Sequence, residues 1–343
     1  MRKIWLISVR SYIKLALFFY YRRIVVKNIE HVPKKQPVLF VSNHNNALID
    51  ALLIVTQSGR LSYFLTRASV FKKPFVNWLL RSLNMLPVYR VRDGWSSISN
   101  NNAIFESCSL CLSQNEAVAL FPEGNHHMNR TVRPLSKGFT RIVFETLEHY
   151  PTCDLKIIPI GLNFEQLDAF ADSVLLYFGT PISANTYLQH DVLVETKRLK
   201  KDVWKAITKL TTHIPAADYD ETMQKLKSMD ANFLNPDAVH ACVESDFTNC
   251  GFSKKEQPTS LKAFFKFLMI VLLIGPYAIW KFVAEPKIKE VEFVATFRFG
   301  MVITLVPIWM LFVTLVLILT LGLPAGLAYI FATFSMALLA VKL

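Results

Sequence analysis

Between residues 37 and 165, short apolar runs alternate with helical patterns. "PVLFVS", "LSYFLT", "MLPVYRV", "AVALF" and "LKIIPIGLNF" are brief runs bounded by polar residues, which predicts strands. Between them, "NALIDALLIVTQ" and "KKPFVNWLLRSL" repeat apolar positions at helical spacing. Strands alternating with helices predict an α/β domain with a mostly parallel twisted sheet flanked by helices. "SVLLYFG", from Ser173, predicts one strand more. Residues 190–260 differ. "DVLVETKRLKKDVWKAITKLTTHI" reads as an amphipathic helix in an accessory segment, 190–229, and residues 230–260 read as a polar linker ending in "GFSKKEQPTS".

The two ends carry membrane patterns. "MRKIWLISVRSYIKLALFFYYRRIVVKN" punctuates an apolar run with seven bases, so residues 1–29 predict a basic amphipathic helix on a membrane surface. Its longest uncharged stretch, Leu15 to Tyr21, is far short of the ~20 residues of a span. No small-residue cleavage site follows, so no signal peptide is expected. At the other end, residues 300–341 run 42 positions without a charge, enough for two spans that break near Gly322-Leu323-Pro324. A further apolar stretch, Phe267 to Trp280, lies between Lys266 and Lys281. The expected count for 261–343 is three spans, with two as the alternative. The domain division is 1–29, 30–189 for the α/β domain, 190–260 and 261–343.

Charge narrows the partners. The 343 residues carry a net charge of +12. Residues 1–100 hold 16 Lys and Arg against Glu30, Asp50 and Asp93, so the remainder is nearly neutral. Such a field suits nucleic acid, an anionic bilayer or phosphorylated substrates. No nucleic-acid motif is present, and the apolar C-terminus favours the lipid bilayer. Five cysteines are an odd count and a poor disulfide framework. Cys108 and Cys111, three apart on an expected helix, read as a buried face. The cytoplasm is the expected compartment.

The candidate chemistry begins in "VSNHNNALID", residues 41–50. Six positions along one helix rotate a side chain by about 600°, so His44 and Asp50 meet only across a turn. "PVLFVS" ends a strand, and Asn45 or Asn46 can cap the helix that follows. Asp50 then falls in that helix's early turns and can fix the imidazole's tautomer. The free nitrogen can take a proton from a substrate hydroxyl. A turn histidine beside a solvated aspartate is the plainer alternative. Downstream, "LFPEGNHHMNRTVRPLSKG" sets Arg130, Arg133 and Lys137 after a Pro-Glu-Gly turn. "LPVYRVRDG" places Arg90 and Arg92 at a strand end. Such bases suit a phosphate monoester; a solvated basic surface is the alternative.

Four blocks in order resemble the glycerolipid acyltransferase family, which includes glycerol-3-phosphate and 1-acylglycerol-3-phosphate acyltransferases. They are "NHNNALID", "MLPVYR", "FPEG" and "IIPIGL", spread over roughly residues 30–185. Five residues separate His44 from Asp50, where the family usually has four. That spacing, with "TRASVFKKP", resembles the glycerol-3-phosphate and dihydroxyacetone-phosphate branch. Asn125 replaces the usual Ser or Thr after Glu-Gly, which leaves the acceptor open.

The resemblance implies roles at matched positions. His44 would be the general base and Asp50 its orienting partner. Arg90, Glu123 and Gly124 would shape the acceptor site, with Glu123 holding a hydroxyl or a basic side chain. Arg67, Arg133 and Lys137 are further phosphate-binding candidates. It implies no metal and no cofactor beyond the acyl donor, acyl-CoA or acyl carrier protein, with a phosphorylated glycerol as acceptor. A metal-dependent phosphoesterase built on His44, Asp50, Glu123, His126 and His127 is a rival, without a tight ligand cluster such as H-E-x-x-H. A non-catalytic lipid-binding protein is another. The positive-inside bias places residues 1–260 in the cytoplasm.

Overall fold

The structure, a computed structural model, describes residues 1–89, 99–252 and 260–343. Helix α1 (Arg2–Tyr20) leads into strand β1 (Arg23–Lys27). The expected strands follow as β2 (Val38–Ser42), β3 (Ser62–Arg67), β4 (Met85–Val88), β5 (Ala117–Leu120), β6 (Lys156–Phe164) and β7 (Ser173–Phe178), with a short β8 (Ile182–Ser183). The intervening helices are α2 (Ala47–Gln57), α3 (Pro74–Ser82), α4 (Asn101–Ser113) and α5 (Gly138–His149). One sheet results, in the order β1-β7-β6-β2-β5-β3-β4, with β8 on β6. The pairs among β2 to β6 are parallel; β7 and β8 run antiparallel to β6.

Both faces of the central strands are buried, which is why they read as unbroken apolar runs. Val38 and Phe40 of β2 face one core, with Tyr20, Ile49, Leu53 and Phe299. Leu39 and Val41 face the other, with Phe105, Leu112, Ile142 and Val143. This is the period of two expected of a strand. Three helices follow the sheet: α6 (Val192–Leu210), α7 (Tyr219–Ser228) and α8 (Pro236–Glu244). Leu199, Val203 and Ile207 place α6 in the second core, so that helix covers the sheet rather than standing apart. A separate small core of Ile214, Leu226, Phe233, Val239 and Cys242 joins α7 and α8.

Three expectations change here. Residues 230–260, expected as a polar linker, carry α8, whose Val239 and Cys242 are buried in the small core, and residues 253–259 lie outside the described residues. Residues 23–27 are an edge strand paired with β7, because Tyr20 and Tyr21 bury fully and turn the chain into the sheet. Cys242 and Cys250 form a disulfide despite the odd cysteine count. Cys108, Cys111 and Cys153 remain free thiols. Cys108 is buried, as its helical spacing implies, and burial pushes its thiol well up.

The C-terminal region is α9 (Ser260–Leu272), α10 (Ile274–Ile279), α11 (Val294–Leu321) and α12 (Leu323–Lys342). Among the described residues two segments, Val291–Leu321 and Leu323–Lys342, are each long and apolar enough to cross a membrane. The α9–α10 pair bends by 95° at its break. Pro276 causes the break: it has no N–H for the carbonyl of Leu272, four residues back. Trp309 Nε1 (3.2 Å) and the Tyr329 hydroxyl (3.0 Å) donate to that freed oxygen, one from each long helix. A backbone acceptor left bare in lipid would be costly, so these two donors make the bend tolerable.

The ends of these helices share one side of the molecule. Ala295 and Phe299, at the start of α11, are buried in the first core. Lys342, at the end of α12, donates to the carbonyls of Tyr21 (2.8 Å) and Arg22 (3.3 Å). Lys262, at the head of α9, lies within electrostatic reach of Arg22 and Glu165. The turn after α10 reaches His126 of the sheet domain through Glu290. The bent pair therefore leaves the sheet domain and returns to it.

Candidate active site

β2 and β5 are parallel neighbours, so their C-terminal ends open on the same rim. Open α/β sheets place ligands on that rim. β2 runs into Asn43, His44, Asn45 and Asn46, and β5 runs into Phe121, Pro122, Glu123 and Gly124. Each loop holds the other. His44 N–H donates to Glu123 Oε1 at 3.1 Å, and His127 N–H donates to the His44 carbonyl at 3.2 Å.

Asp50 is fully buried on the first turn of α2, and its Oδ2 lies 2.8 Å from His44 Nδ1. The same oxygen accepts the N–H groups of Asn45 (2.9 Å) and Asn46 (2.8 Å). A carboxylate only accepts, so Nδ1 carries the imidazole proton and Nε2 presents a lone pair. Nε2 has no hydrogen-bond partner among the described residues. The His44 ring stacks on Phe121, with centroids 3.9 Å apart and planes 10° apart. Its orientation is thus fixed from below and from the side.

Five residues intervene between His44 and Asp50, and the backbone absorbs them at Ala47, which sits left-handed at φ 42°. Asn46 occupies the N-cap position, but its side chain does not cap α2. Asp50 accepts the loop N–H groups instead, and Asn46 Nδ2 donates to the carbonyl of Leu167 at 2.6 Å. Asn43 ties the turn to β6 by exchanging bonds with both backbone groups of Leu162, at 2.9 and 2.8 Å. Asn45 Nδ2 reaches across to the carbonyls of His127 and Asn129.

The Glu123 side chain is 1% exposed and serves as the hub of the second loop. Its Oε2 accepts from Arg133 Nε (3.1 Å), Arg133 N–H (3.2 Å) and His127 Nε2 (3.2 Å). Burial alone would raise its carboxyl, but the His127 and Arg133 hydrogen bonds outweigh it and hold it below the usual range. Gly124 closes the turn at φ 73°, a conformation that favours glycine, and donates to the carbonyl of Phe121.

The other expected site residues divide. Arg133 grips Glu123 and the carbonyl of Asn125, so it builds the loop. Arg130 is committed too: it donates to the carbonyl of Glu165 at 3.0 Å and lies 4.0 Å over Phe233. Arg67 is exposed at the end of β3, over the ring of Phe293. Lys137 is exposed at the N-cap of α5. Arg90 and Arg92 lie outside the described residues. His126 meets His44 edge-on at 5.5 Å, and burial followed by that neighbour keeps it below the usual histidine range. No group of three His, Cys, Asp or Glu side chains converges on a metal position among the described residues.

Sequence reasoning missed Phe121, although it adjoins the Pro-Glu-Gly turn. It also missed Glu290 and Phe293, which reach His126 from the membrane region. No local pattern marks a contact across that much chain.

Residues 23–163 match the sequence profile of the family described as Acyltransferase. The match begins at β1 and contains both loops of the rim. Over that stretch the chain is similar to acyltransferases, among them proteins that carry glycerol-phosphate acyltransferase names. It is 21% identical over 309 residues to an uncharacterized acyltransferase of Schizosaccharomyces pombe, covering 64% of this chain and 45% of that one. It is 23% identical over 201 residues to the 1-acyl-sn-glycerol-3-phosphate acyltransferase of Borreliella burgdorferi, covering 59% of this chain and 75% of that one. It is 30% identical over 71 residues to glycerol-3-phosphate O-acyltransferase 1 of Saccharomyces cerevisiae, covering 21% of this chain and 9% of that one. The chain thus spans less than half the length of the two yeast proteins. The matched stretch runs from β1 into β6 and holds both loops; it ends before β7, β8 and the C-terminal helices.

Proposed function

We propose that this protein is a membrane-bound O-acyltransferase. It moves a fatty acyl group from acyl-CoA or acyl carrier protein to a hydroxyl of glycerol 3-phosphate or 1-acylglycerol 3-phosphate. The observation that carries this reading is the His44–Asp50 pair, bonded at Nδ1 with Nε2 free on the ligand rim. In the reaction, Nε2 takes the proton of the acceptor hydroxyl as its oxygen attacks the thioester carbonyl. The tetrahedral oxyanion collapses and expels the thiolate, which recovers the proton from the imidazolium. Buried Asp50 supports that imidazolium. No covalent acyl-enzyme forms, and no cofactor is required.

Glu123 and Gly124 shape the acceptor side through the loop they fold, and Arg67, Lys137 and Arg90 are the phosphate candidates. The catalytic domain is placed on the cytoplasmic side, where both donors reside, and the basic N-terminal third supports that orientation. Purified protein in detergent, offered both donors with glycerol 3-phosphate, 1-acylglycerol 3-phosphate and a lyso-aminolipid, tests the reading. Mass identification of an acylated glycerol phosphate is the expected result. Acylation of the lyso-aminolipid alone would replace the acceptor, and no acylated product from any pair would overturn the reaction.

A further inference from the structure

The segment between α10 and α11 belongs to the C-terminal region, yet it stands against His126, the edge-on neighbour of His44. Glu290 Oε2 lies 3.8 Å from His126 Nε2, and the Phe293 ring meets the His126 ring at 4.8 Å. Arg67 lies over the same Phe293 ring, at 5.6 Å. This segment lines a cavity of about 410 Å3 with Lys287, Ile288, Lys289, Glu290, Phe293 and Phe297. Phe293 is therefore a wall shared by the cavity and the catalytic rim.

The lining carries two ammonium groups, an apolar surface and one carboxylate, Glu290, which is turned to His126. Lys287 and Lys289 are exposed, and neither makes an ion pair or hydrogen bond among the described residues. Ile288, Phe293 and Phe297 supply an apolar surface beside them, with Phe297 54% exposed. Two unpaired ammonium groups next to an apolar wall suit one kind of ligand: an anionic lipid with a single chain. The segment runs directly into α11, so such a molecule reaches the cavity from the membrane boundary without crossing bulk water.

We propose that residues 284–297 form a binding site for a single-chain lipid phosphate. Lys287 and Lys289 take its phosphate, and Ile288 and Phe297 take the start of its chain. The proposal rests on the acyl-transfer reading for its consequence: the acceptor already carries one acyl chain, because free glycerol 3-phosphate has nothing to place on the apolar wall. The site itself is testable without turnover.

The experiment measures binding to the full chain in neutral detergent, comparing 1-acylglycerol 3-phosphate with the monoacylglycerol of the same chain. The wild type should prefer the phosphorylated lipid by at least ~10-fold, as expected for contacts to a charged group. Lys287→Gln with Lys289→Gln should abolish that preference and leave the neutral lipid's affinity unchanged. Lys287→Arg with Lys289→Arg should restore it, which excludes misfolding as the cause. No preference in the wild type, or a preference that survives the Gln pair, would overturn the site. A kinetic arm separates the two sources of phosphate. The Gln pair should raise KM for the monoacyl acceptor about 10-fold and leave the donor KM within about twofold. A rise confined to acyl-CoA would assign the lysines to the donor and overturn the proposal. Selective binding without acyl transfer to any acceptor would uphold the site and overturn only the reaction.

Discussion

Lys342 Nζ lies 2.8 Å from the carbonyl oxygen of Tyr21. The last turn of the chain is thereby tied to the residue that opens the sheet domain. α11 also starts at that domain, where Phe299 is buried. A hairpin with both ends on one side crosses twice, and the bent α9–α10 pair enters and returns. Both expected counts stand: two helices are long enough to cross, and the bent pair is either a broken third span or a re-entrant loop, of which we propose the second because both its ends lie at the sheet domain. A reporter fused after Leu343 should therefore report the same side as one fused before Met1. Opposite sides would restore the third span.

The side itself has its own test, because the disulfide and the proposed cytoplasmic placement pull apart. Disulfides persist in oxidising compartments and are rare in the cytosol. On the cytoplasmic side, Cys242 and Cys250 should be alkylated as free thiols when intact cells are quenched with a permeant reagent. Protection of both until a reductant is added would place residues 190–252 in an oxidising compartment and contradict the orientation.

Glu123 and Arg133 act as one unit. Arg133→Ala should lower kcat/KM by about 10-fold, and Glu123→Gln by a similar factor, each by loosening the loop beside His44. The double variant should be little worse than either single one. Additive losses, with Arg133→Ala raising KM only for a phosphorylated acceptor, would make Arg133 a phosphate ligand instead.

Asp172 should limit stability at neutral pH. Burial pushes its carboxyl up to about 6, against the opposing bonds from Ser173 and Gln166. A group raised in the folded state contributes fully at low pH and loses that contribution as pH rises through its folded value. Asp172→Asn should therefore be more stable than the wild type at pH 8, by on the order of 2 kcal/mol, with the difference vanishing below about pH 4. Heat denaturation at both pH values checks this. A variant less stable at pH 8 would show that its hydrogen bonds outweigh its desolvation.

Ala47 stores backbone strain at φ 42°. Ala47→Gly should leave activity unchanged and raise stability by up to about 1 kcal/mol, since glycine visits that region freely. A loss of activity with unchanged stability would mean that the Ala47 methyl group itself positions Asp50.

The central strands were legible because both their faces are buried, so each appears as a bounded apolar run. Edge strand β1 was not, because "RIVVK" continues a basic amphipathic pattern and pairs with β7 far along the chain. His44 and Asp50 were legible as a pair across a turn; Glu123 was legible only through the family resemblance, which left open whether it holds a hydroxyl or a basic side chain, and the structure shows Arg133 and His127 on it. The roles of Arg130 and Arg133 were not, because a sequence shows charge but not which carboxylate or carbonyl consumes it. Pro276 stood in plain view inside an apolar run. Its effect depends on Trp309 and Tyr329, whose placement only the packed helices reveal.

The most direct test of the account is single-turnover acyl transfer by His44→Ala, at matched protein level in the same membranes. The account predicts a rate at least ~10²-fold below wild type, the low end of a general base's contribution, with binding of the acceptor unchanged. A rate within about twofold of wild type would contradict the assignment of His44 as the base, and the reaction built on it.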